Sequence, residues 1–399
     1  MVTEVDVAIV GAGGAGLTVL HELALAAVHG ASSWRVALVD DVDRLRDRPH
    51  DRTWCFWDRG DNPAEEALAA SWRRAVVRSS GRDRLLDLRP FRYAMLRSPD
   101  YYRLVDETVR AARSRLDVVH LRAATEVVDG EPPLVRTPDG DVLAAWVLES
   151  RPAAPTRRAV TALAQSFRGA YVRTPVPVFH ADAPVLMDFR TPQPERGLSF
   201  GYCLPLSATH ALVEYTEFSP LALDEVRFDR ALRRYVDLVA PTPGVVVEHI
   251  ETGSIPMTDA RYPRRRGRRV MLLGTAGGAT RASTGYTFRT MQRQARDVVQ
   301  ALTSGREPLP RRPYPRRHML MDGALLRALD RGYVDGPAFF CRLFARNPPG
   351  RVLDVLDGTS GPASEVALMA TAPAASMVRA GAEAVLLRAL PRRRRNRRL

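Results

Sequence analysis

The segment from residue 5 to residue 16 reads VDVAIVGAGGAG. Its first six residues are an apolar run, typical of a strand buried on both faces of a parallel sheet. Gly11, Gly13 and Gly16 follow in the spacing GxGxxG, and residues 17–28 have the composition of a helix. The segment therefore predicts a strand, a tight turn and a helix in immediate succession.

This glycine spacing predicts a dinucleotide site. The first glycine allows the tight turn, the second lets the backbone approach a pyrophosphate, and the third lets the helix pack closely on the strand. Phosphate would then lie at the positive end of the helix, and Gly14 within the loop is assigned to the same site. Residues 35–39 (RVALV) predict the next strand. Asp40 follows it and is placed to hydrogen-bond a ribose hydroxyl, with Asp41 as the alternative.

A second glycine cluster favours FAD over NAD as the dinucleotide. Residues 274–278 (GTAGG) follow the apolar run 269–273 and precede a predicted helix over 287–302. Such a late strand–glycine–helix element is the usual means by which a glutathione-reductase-like fold holds the far half of FAD. Gly274, Gly277 and Gly278 are assigned to the cofactor on this basis. Thr284, Gly285 and Tyr286 are expected to place backbone amides near the flavin at a helix start, the alternative being a capped helix with no ligand.

The chain as a whole predicts an α/β protein of two domains. A Rossmann-like FAD-binding domain of glutathione-reductase type carries an inserted antiparallel β-sheet substrate domain and is followed by a helical C-terminal region. The expected boundaries are 1–90 for the first part of the FAD domain, 91–255 for a mixed region with its third strand (about 116–150) and the substrate domain, 256–305 for its last part, 306–390 for the helices and 391–399 for a basic tail.

Composition narrows the function classes. Three cysteines without a CxxC pattern predict neither a disulfide framework nor a metal site. No run of about 20 uncharged apolar residues is present, as a membrane span would require. The net charge is +14, and the chain ends in PRRRRNRRL, which could bind anionic lipid or remain a solvated tail. We expect a cytoplasmic protein that associates peripherally with membranes and binds no nucleic acid.

Several segments together resemble the lycopene cyclase family, chiefly its bacterial lycopene beta-cyclases. Besides the first glycine motif they are DRTWCFW (51–57), LMDFR (186–190), LSFGYCLP (198–205), ALVEYTE (211–217), GSIPM (253–257) and GTAGGATRASTGY (274–286). The resemblance implies reduced FAD as cofactor, NADPH as the reductant, and an acyclic carotenoid as substrate. The implied reaction is an isomerisation that makes β-ionone rings at one or both ends of lycopene without net redox change.

Ring closure of this kind requires an acid that protonates an alkene, in a dry pocket that stabilises a cation. Glu214 is the candidate acid, since burial in an apolar strand would keep it protonated; the alternative is a solvated or salt-bridged strand glutamate. Glu217 is either a second carboxylate or a solvated strand end. Asp188 either hydrogen-bonds an active-site group or pairs with Arg190.

Aromatic side chains near these segments are candidates for a tunnel that stabilises the cation, although aromatic residues are more often plain core. They are Trp54, Phe56, Trp57, Tyr202 and Tyr215. Three other functions compete with the cyclase. They are an FAD-dependent monooxygenase or oxidoreductase, a cyclase acting on another prenylated substrate, and a nucleic-acid-binding protein. Thr275 argues against the first, because flavin hydroxylases typically carry an aspartate there. No recognition helix or RNP-like motif supports the last.

Overall fold

The computed structural model describes residues 2–221 and 223–389. The strands are β1 (Val2–Val10), β2 (Trp34–Val39), β3 (Thr53–Asp58), β4 (Leu68–Trp72), β5 (Arg74–Ser79), β6 (Arg82–Asp87), β7 (Arg92–Arg97), β8 (Leu116–Leu121), β9 (Glu126–Val128), β10 (Leu134–Thr137), β11 (Gly140–Glu149), β12 (Ala162–Arg173), β13 (Val185–Asp188), β14 (Leu198–Ser207), β15 (His210–Ser219), β16 (Val246–Thr258), β17 (Arg265–Arg266) and β18 (Val270–Leu272). The α-helices are α1 (Gly14–Val28), α2 (Arg44–Asp47), α3 (Ser98–Ala111), α4 (Glu225–Val239), α5 (Phe288–Thr303), α6 (Arg316–Asp330), α7 (Gly336–Arg346), α8 (Pro349–Asp357), α9 (Pro362–Met369) and α10 (Ala374–Ala389).

The predicted strand–turn–helix–strand unit lies at the centre of a mainly parallel sheet. Its strand order is β17-β18-β11-β1-β2-β8, and β1 pairs in parallel with both β11 and β2. Val7 and Ile9 of β1 pack on the side of helices α1, α3 and α5, while Ala8 and Val10 pack on the opposite side. Both faces are covered over residues 7–10, which explains why these four residues are all apolar. The predicted α/β fold class is confirmed.

A second, largely antiparallel sheet has the strand order β16-β12-β15-β14-β13-β5-β6. Helix α4 packs on one face of this sheet, against β12 and β15. The hairpin β5–β6 belongs here, because β5 pairs with β13. The boundaries expected from the sequence put residues 74–87 in the first part of the FAD domain, whereas their strands pair within this second sheet. The sequence of a short hairpin does not specify which sheet it joins. Here the apolar packing of Ala75 and Val77 with Leu186 places the hairpin in the second sheet.

Five helices, α6 to α10, follow the second glycine cluster and pack beside both sheets. A buried ion pair joins α6 to the loop that follows this cluster, with Arg281 Nε 2.7 Å from Asp322 Oδ2. Arg281 also hydrogen-bonds His318 Nδ1 at 3.0 Å. The basic tail at 391–399 lies outside the described residues. Within the described part of the chain, no helix is long and apolar enough to cross a membrane.

Candidate functional site

A cavity of about 750 Å³ lies where the carboxyl ends of the parallel strands face the second sheet. In open α/β folds, ligands bind at this edge. The glycine loops, the start of α5 and strand β3 supply one part of the lining, and β12, β14, β15 and β16 supply the other. The cavity therefore joins the predicted nucleotide site to the face of the predicted substrate sheet.

The first glycine motif shows which of its glycines the protein fold itself requires. A Cβ atom on Gly16 would lie 2.0 Å from the carbonyl oxygen of Gly11, so the packing of α1 excludes any side chain there. Gly13 differs, because its φ of −78° suits any residue and a Cβ would meet no atom within 4 Å. Gly13 and Gly14 line the cavity at the start of α1. This open space before a helix N-terminus fits the pyrophosphate of a dinucleotide.

Asp40 stands at the end of β2, where the sequence predicted it, and its carboxylate is already hydrogen-bonded within the protein. The Ala12 amide donates to Oδ2 at 2.7 Å, and Arg44 Nη1 donates to Oδ1 at 2.8 Å. Arg44 itself lines the cavity. The structure thus places Asp40 behind the glycine loop and brings a guanidinium group, which the sequence analysis had not singled out, to the cavity.

The second glycine cluster forms a 3₁₀ turn over residues 274–277 that packs against α1. A Cβ on Gly274 would lie 2.7 Å from Cβ of Ala15, and one on Gly277 would lie 2.3 Å from a backbone oxygen of Leu272. These two glycines therefore permit close packing. Gly278 ends the turn in the left-handed conformation. The cavity lining from this turn comes from the residues at 275 and 276.

The loop before α5 also reaches the cavity, and Thr284, Gly285 and Tyr286 all line it. Gly285 has φ +72°, and a Cβ there would lie 2.2 Å from Oε1 of Gln165 on β12. The loop therefore sits directly against the second sheet. This contact brings the predicted cofactor loop close to the predicted catalytic strand.

Two buried glutamates, Glu214 and Glu251, face the cavity from the second sheet. The Thr216 hydroxyl donates to Glu214 Oε1 at 2.6 Å, and the Thr53 hydroxyl donates to Glu251 Oε2 at 2.7 Å. Both glutamates pair in register with Gly169 on the intervening strand β12. The sheet thus holds one carboxyl group on either side of a position that has no side chain.

The two carboxyl groups differ in their proton affinity. Burial, together with the nearby charge of Glu251, raises the pKa of Glu214 to about 8. Burial also raises the pKa of Glu251, but the hydrogen bond from Thr53 and the charge of Arg52 act in the opposite direction. Glu214 is therefore the carboxyl group that keeps its proton near neutral pH.

Glu217 and Asp188 lie on the other face of this sheet, which packs against α4. Alternation along β15 turns Glu217 away from the cavity, and the Tyr215 hydroxyl donates to its Oε2 at 3.1 Å. Asp188 is fully buried and accepts hydrogen bonds from Arg190 at 2.6 Å and 2.9 Å. The Arg190 amide donates at 3.1 Å, and the Tyr235 hydroxyl of α4 donates at 3.4 Å. The structure therefore separates these two carboxylates from Glu214.

The five predicted aromatic residues also divide between those that line the cavity and those that do not. Trp54 and Tyr202 line the cavity, whereas Phe56 stacks on Phe288 in the core with ring centroids 4.9 Å apart. The ring of Trp57 packs behind Tyr286, with centroids 4.4 Å apart. The aromatic ring of Tyr215 points towards α4 and contacts Phe228.

Tyrosine hydroxyls cluster beside Glu214. Tyr202 lies opposite Glu214 in the register of β14 and β15, and its hydroxyl is 3.5 Å from that of Tyr286. The Tyr286 hydroxyl is in turn 2.8 Å from that of Tyr93. Burial raises the pKa of all three phenols, so they remain neutral donors beside the acid.

Sequence reasoning missed Glu251, Thr53 and Tyr93. Weak signals were present, since Glu251 lies two residues before the segment GSIPM and Thr53 lies within DRTWCFW. Only strand pairing brings these segments together, and no local pattern reports that pairing.

Solved structures with similar folds are flavoproteins and related enzymes. A geranylgeranyl bacteriochlorophyll reductase-like protein from Thermoplasma acidophilum superposes with a TM-score of 0.62 at 14% identity, over 95% of this chain and 99% of that one. A flavoprotein/dehydrogenase from Cytophaga hutchinsonii gives 0.62 at 15% identity, over 95% and 99%. A p-nitrophenol 4-monooxygenase from Pseudomonas putida gives 0.54 at 17% identity, over 96% and 98%. At these identities the similarity establishes the fold.

No curated protein sequence matches this chain. The family described as lycopene cyclase protein does, and its model covers residues 6–382. That match includes both glycine clusters, the two cavity glutamates and most of the C-terminal helices. The chain therefore belongs to the lycopene cyclase family.

Proposed function

We propose that this protein is an FAD-dependent lycopene cyclase. It would close one or both acyclic ends of lycopene to β-ionone rings by acid–base chemistry, with reduced FAD and no net redox change. The observation that supports this most directly is Glu214, a buried carboxyl group whose pKa is raised to about 8, inside a cavity with aromatic walls. An acid of this kind is protonated near neutral pH, as protonation of an alkene requires.

The cavity offers a consistent place for the cofactor. The free amides at the start of α1, beside Gly13 and Gly14, would bind the pyrophosphate, and Arg44 would add positive charge. Thr275 and the loop that ends at Tyr286 would contact the remainder of FAD. When bound and reduced, FAD supplies electron density that stabilises a nearby carbocation. We propose NADPH as the reductant.

The protein's own residues would perform the proton chemistry. Glu214 transfers its proton to the terminal trisubstituted alkene, and the resulting tertiary cation is attacked by a neighbouring double bond, which closes the ring. The aromatic faces of Trp54, Tyr202 and Tyr286 border the cavity and would stabilise the cation by cation–π interaction. A base then removes a proton and forms the ring double bond. Every proton and electron is accounted for without an oxidant.

Expression in a lycopene-accumulating host, followed by pigment analysis, tests the proposal. We expect cyclic carotenoids to replace lycopene. With purified protein, ring formation should need FAD to be reduced only at the start, whereas a monooxygenase would consume NADPH and oxygen at every turnover. Persistent lycopene together with steady oxygen-coupled NADPH consumption would instead favour the oxidoreductase alternative. Unchanged lycopene with cyclisation of another prenylated compound would identify a different substrate.

We also propose that the protein obtains its apolar substrate at a membrane surface. Helix α10 exposes Val378, Ala382, Val385 and Leu386, whose spacing of three to four residues places them on one uncharged face. Six arginines follow within residues 391–399. An apolar helix face that is followed in the sequence by a cluster of cations matches the surface of a bilayer that contains anionic lipid.

The double variant Val378→Glu, Leu386→Glu should bind anionic liposomes at least tenfold more weakly than the wild type. Burying each apolar side chain contributes about 1.5–3 kcal/mol, and every 1.4 kcal/mol corresponds to about tenfold in affinity. Liposome co-sedimentation at low salt measures the effect. A matched control, Val28→Glu with Val128→Glu, changes two exposed valines elsewhere and should leave binding unaltered. Equal binding by all three proteins would exclude α10 as the membrane-facing surface.

A further inference from the structure

We propose that Glu251 is the base that completes the reaction, so that Glu214 and Glu251 act as a pair holding a single proton. This inference rests on the proposed cyclisation and assigns its last step. The protonated Glu214 begins the reaction, and the ionised Glu251 receives the proton that the cyclised cation releases.

The strand register places the two carboxyl groups on one face of the sheet, on the two strands that flank β12. Glu214 on β15 and Glu251 on β16 both pair with Gly169 on β12, so their side chains point to the same face of the sheet. Adjacent strands lie about 4.8 Å apart, which separates the two Cα atoms by roughly 10 Å. Gly169 presents no side chain between them. Both glutamates line the same cavity, so the end of a substrate held there can contact the acid and the base.

Hydrogen bonding favours the ionised form of Glu251 more strongly than that of Glu214. Thr53 Oγ1 lies 2.7 Å from Glu251 Oε2 and 2.8 Å from the hydroxyl oxygen of Tyr171. A threonine hydroxyl has one proton, so when Thr53 donates to Glu251, the Tyr171 hydroxyl must donate to Thr53. The chain Tyr171–Thr53–Glu251 thus delivers a donor to the carboxylate and favours its ionised form. Glu214 receives a hydrogen bond from Thr216 at its Oε1 but has no such chain behind it.

The other ionisable groups around the cavity leave Glu251 as the available base. Of the three carboxyl groups that line the cavity in the described part of the chain, Asp51 is bound by Arg44 at 3.3 Å and by the Tyr102 hydroxyl at 2.7 Å. Arg52 adds positive charge near Glu251. Facing the pair from the other packed elements are Cys55 of β3, Tyr93 of β7, Tyr202 of β14 and Tyr286, whose pKa values burial raises, so all four stay neutral.

The proton balance closes over one turnover. The O–H bond of Glu214 breaks as a C–H bond forms on the alkene, and the ring C–C bond then forms. A C–H bond beside the new cation breaks, its electron pair becomes the ring double bond, and its proton moves to Glu251. Return of that proton from Glu251 to Glu214 restores the starting state, and no oxidant or reductant is consumed.

Glu251→Gln should slow ring formation by about 10² to 10⁴, the usual loss when a positioned base is removed. Two further changes distinguish loss of a base from loss of packing. The cation should lose its proton at other positions or capture water, giving different ring isomers or a cyclic alcohol. The alkaline limb of the activity profile should move to lower pH, because removal of the Glu251 charge makes Glu214 easier to ionise.

The measurement compares holoenzymes with chemically reduced FAD at matched flavin occupancy, with products separated by chromatography. Glu217→Gln is the matched control, since Glu217 is equally buried on the opposite face of the same sheet. Thr53→Val removes the hydrogen bonds that Thr53 makes with Glu251 and Tyr171 while keeping the shape of the side chain, and it should move the acid limb to higher pH with an intact fold. This second variant tests the inference even if Glu251→Gln does not fold.

The outcomes separate this inference from the proposed function. Absence of ring formation by the wild type overturns both. If the wild type forms rings and Glu251→Gln forms the same rings within about threefold of its rate, with an unchanged pH profile, Glu251 is not the base. An acid limb unmoved by Thr53→Val contradicts the inference in the same way.

Discussion

Glu214→Gln should reduce ring formation by about 10² to 10⁴, and by more if water is fully excluded from the closed cavity. Glutamine keeps the shape of the side chain and an oxygen that can accept the hydrogen bond from Thr216. An amide is nevertheless far too weak an acid to protonate an alkene. The variant should still fold and bind flavin, because the two glycine clusters lie on other elements.

The assay follows conversion of lycopene with chemically reduced FAD by wild type, Glu214→Gln and Glu217→Gln at equal flavin content. Glu217 faces α4, so its variant should cyclise at nearly the wild-type rate. If Glu214→Gln retains activity within about threefold of wild type, the acid has been assigned wrongly. If Glu217→Gln alone is inactive, the acid lies three residues further along β15.

The pH dependence of the wild-type rate gives a second test of the same assignment. Because Glu214 has a pKa raised to about 8, it is protonated below that value and ionised above it. Activity should therefore be present near neutral pH and fall as the pH rises through about 8. An alkaline limb near pH 5, where an ordinary carboxyl group has already ionised, would contradict a protonated Glu214.

Gly13→Val should yield a folded protein that has lost most of its flavin. The backbone at Gly13 has φ −78°, and its open side contains no atom of the chain within 4 Å, so valine fits the polypeptide itself. The added methyl groups would occupy the space before α1 that a pyrophosphate needs. Overpacking typically costs 1–3 kcal/mol, which corresponds to about 5- to 150-fold weaker binding.

Flavin absorbance per mole of purified protein, together with a melting curve, measures this effect. The matched control is Gly361→Val, at the N-cap of α9, where φ is −83° and a Cβ also meets no atom within 4 Å. It should keep its flavin. Gly16→Val should instead fail to fold, since its Cβ would lie 2.0 Å from a backbone oxygen. Stoichiometric flavin in folded Gly13→Val would refute the assignment of this loop to the cofactor.

The sequence predicted those features that depend on interactions between neighbouring residues. The motif at Gly11 to Gly16 specified a turn, a helix and an open space, because each glycine acts on its immediate neighbours. Alternation along β15 puts Glu214 and Tyr215 on opposite faces of the sheet. The same alternation turns Glu217 away from Glu214, and only the location of the cavity shows which face is the functional one.

The remaining parts depend on contacts between segments far apart in the chain. Glu251 becomes a partner of Glu214 because β12 inserts between their strands, and neither strand's own pattern reports that neighbour. Asp188 illustrates the opposite case. Its nearby Arg190 was visible in the sequence, and that local ion pair is what the structure contains.

Because of the buried ion pair between Arg281 and Asp322, the loop that lines the cavity at 284–286 depends on the packing of α6. The amide of Arg281 donates to the carbonyl of Tyr286, and its own carbonyl accepts from the amide of Gly285, so Arg281 shapes the loop that lines the cavity. The charge of its guanidinium group is balanced by Asp322 of α6. Removing one partner of a buried ion pair costs about 3–5 kcal/mol of stability. If the C-terminal helices detached, the Arg281 guanidinium would lose its buried partner and the loop would become disordered. Release of flavin and unfolding of the C-terminal helices are therefore expected over the same temperature range on heating.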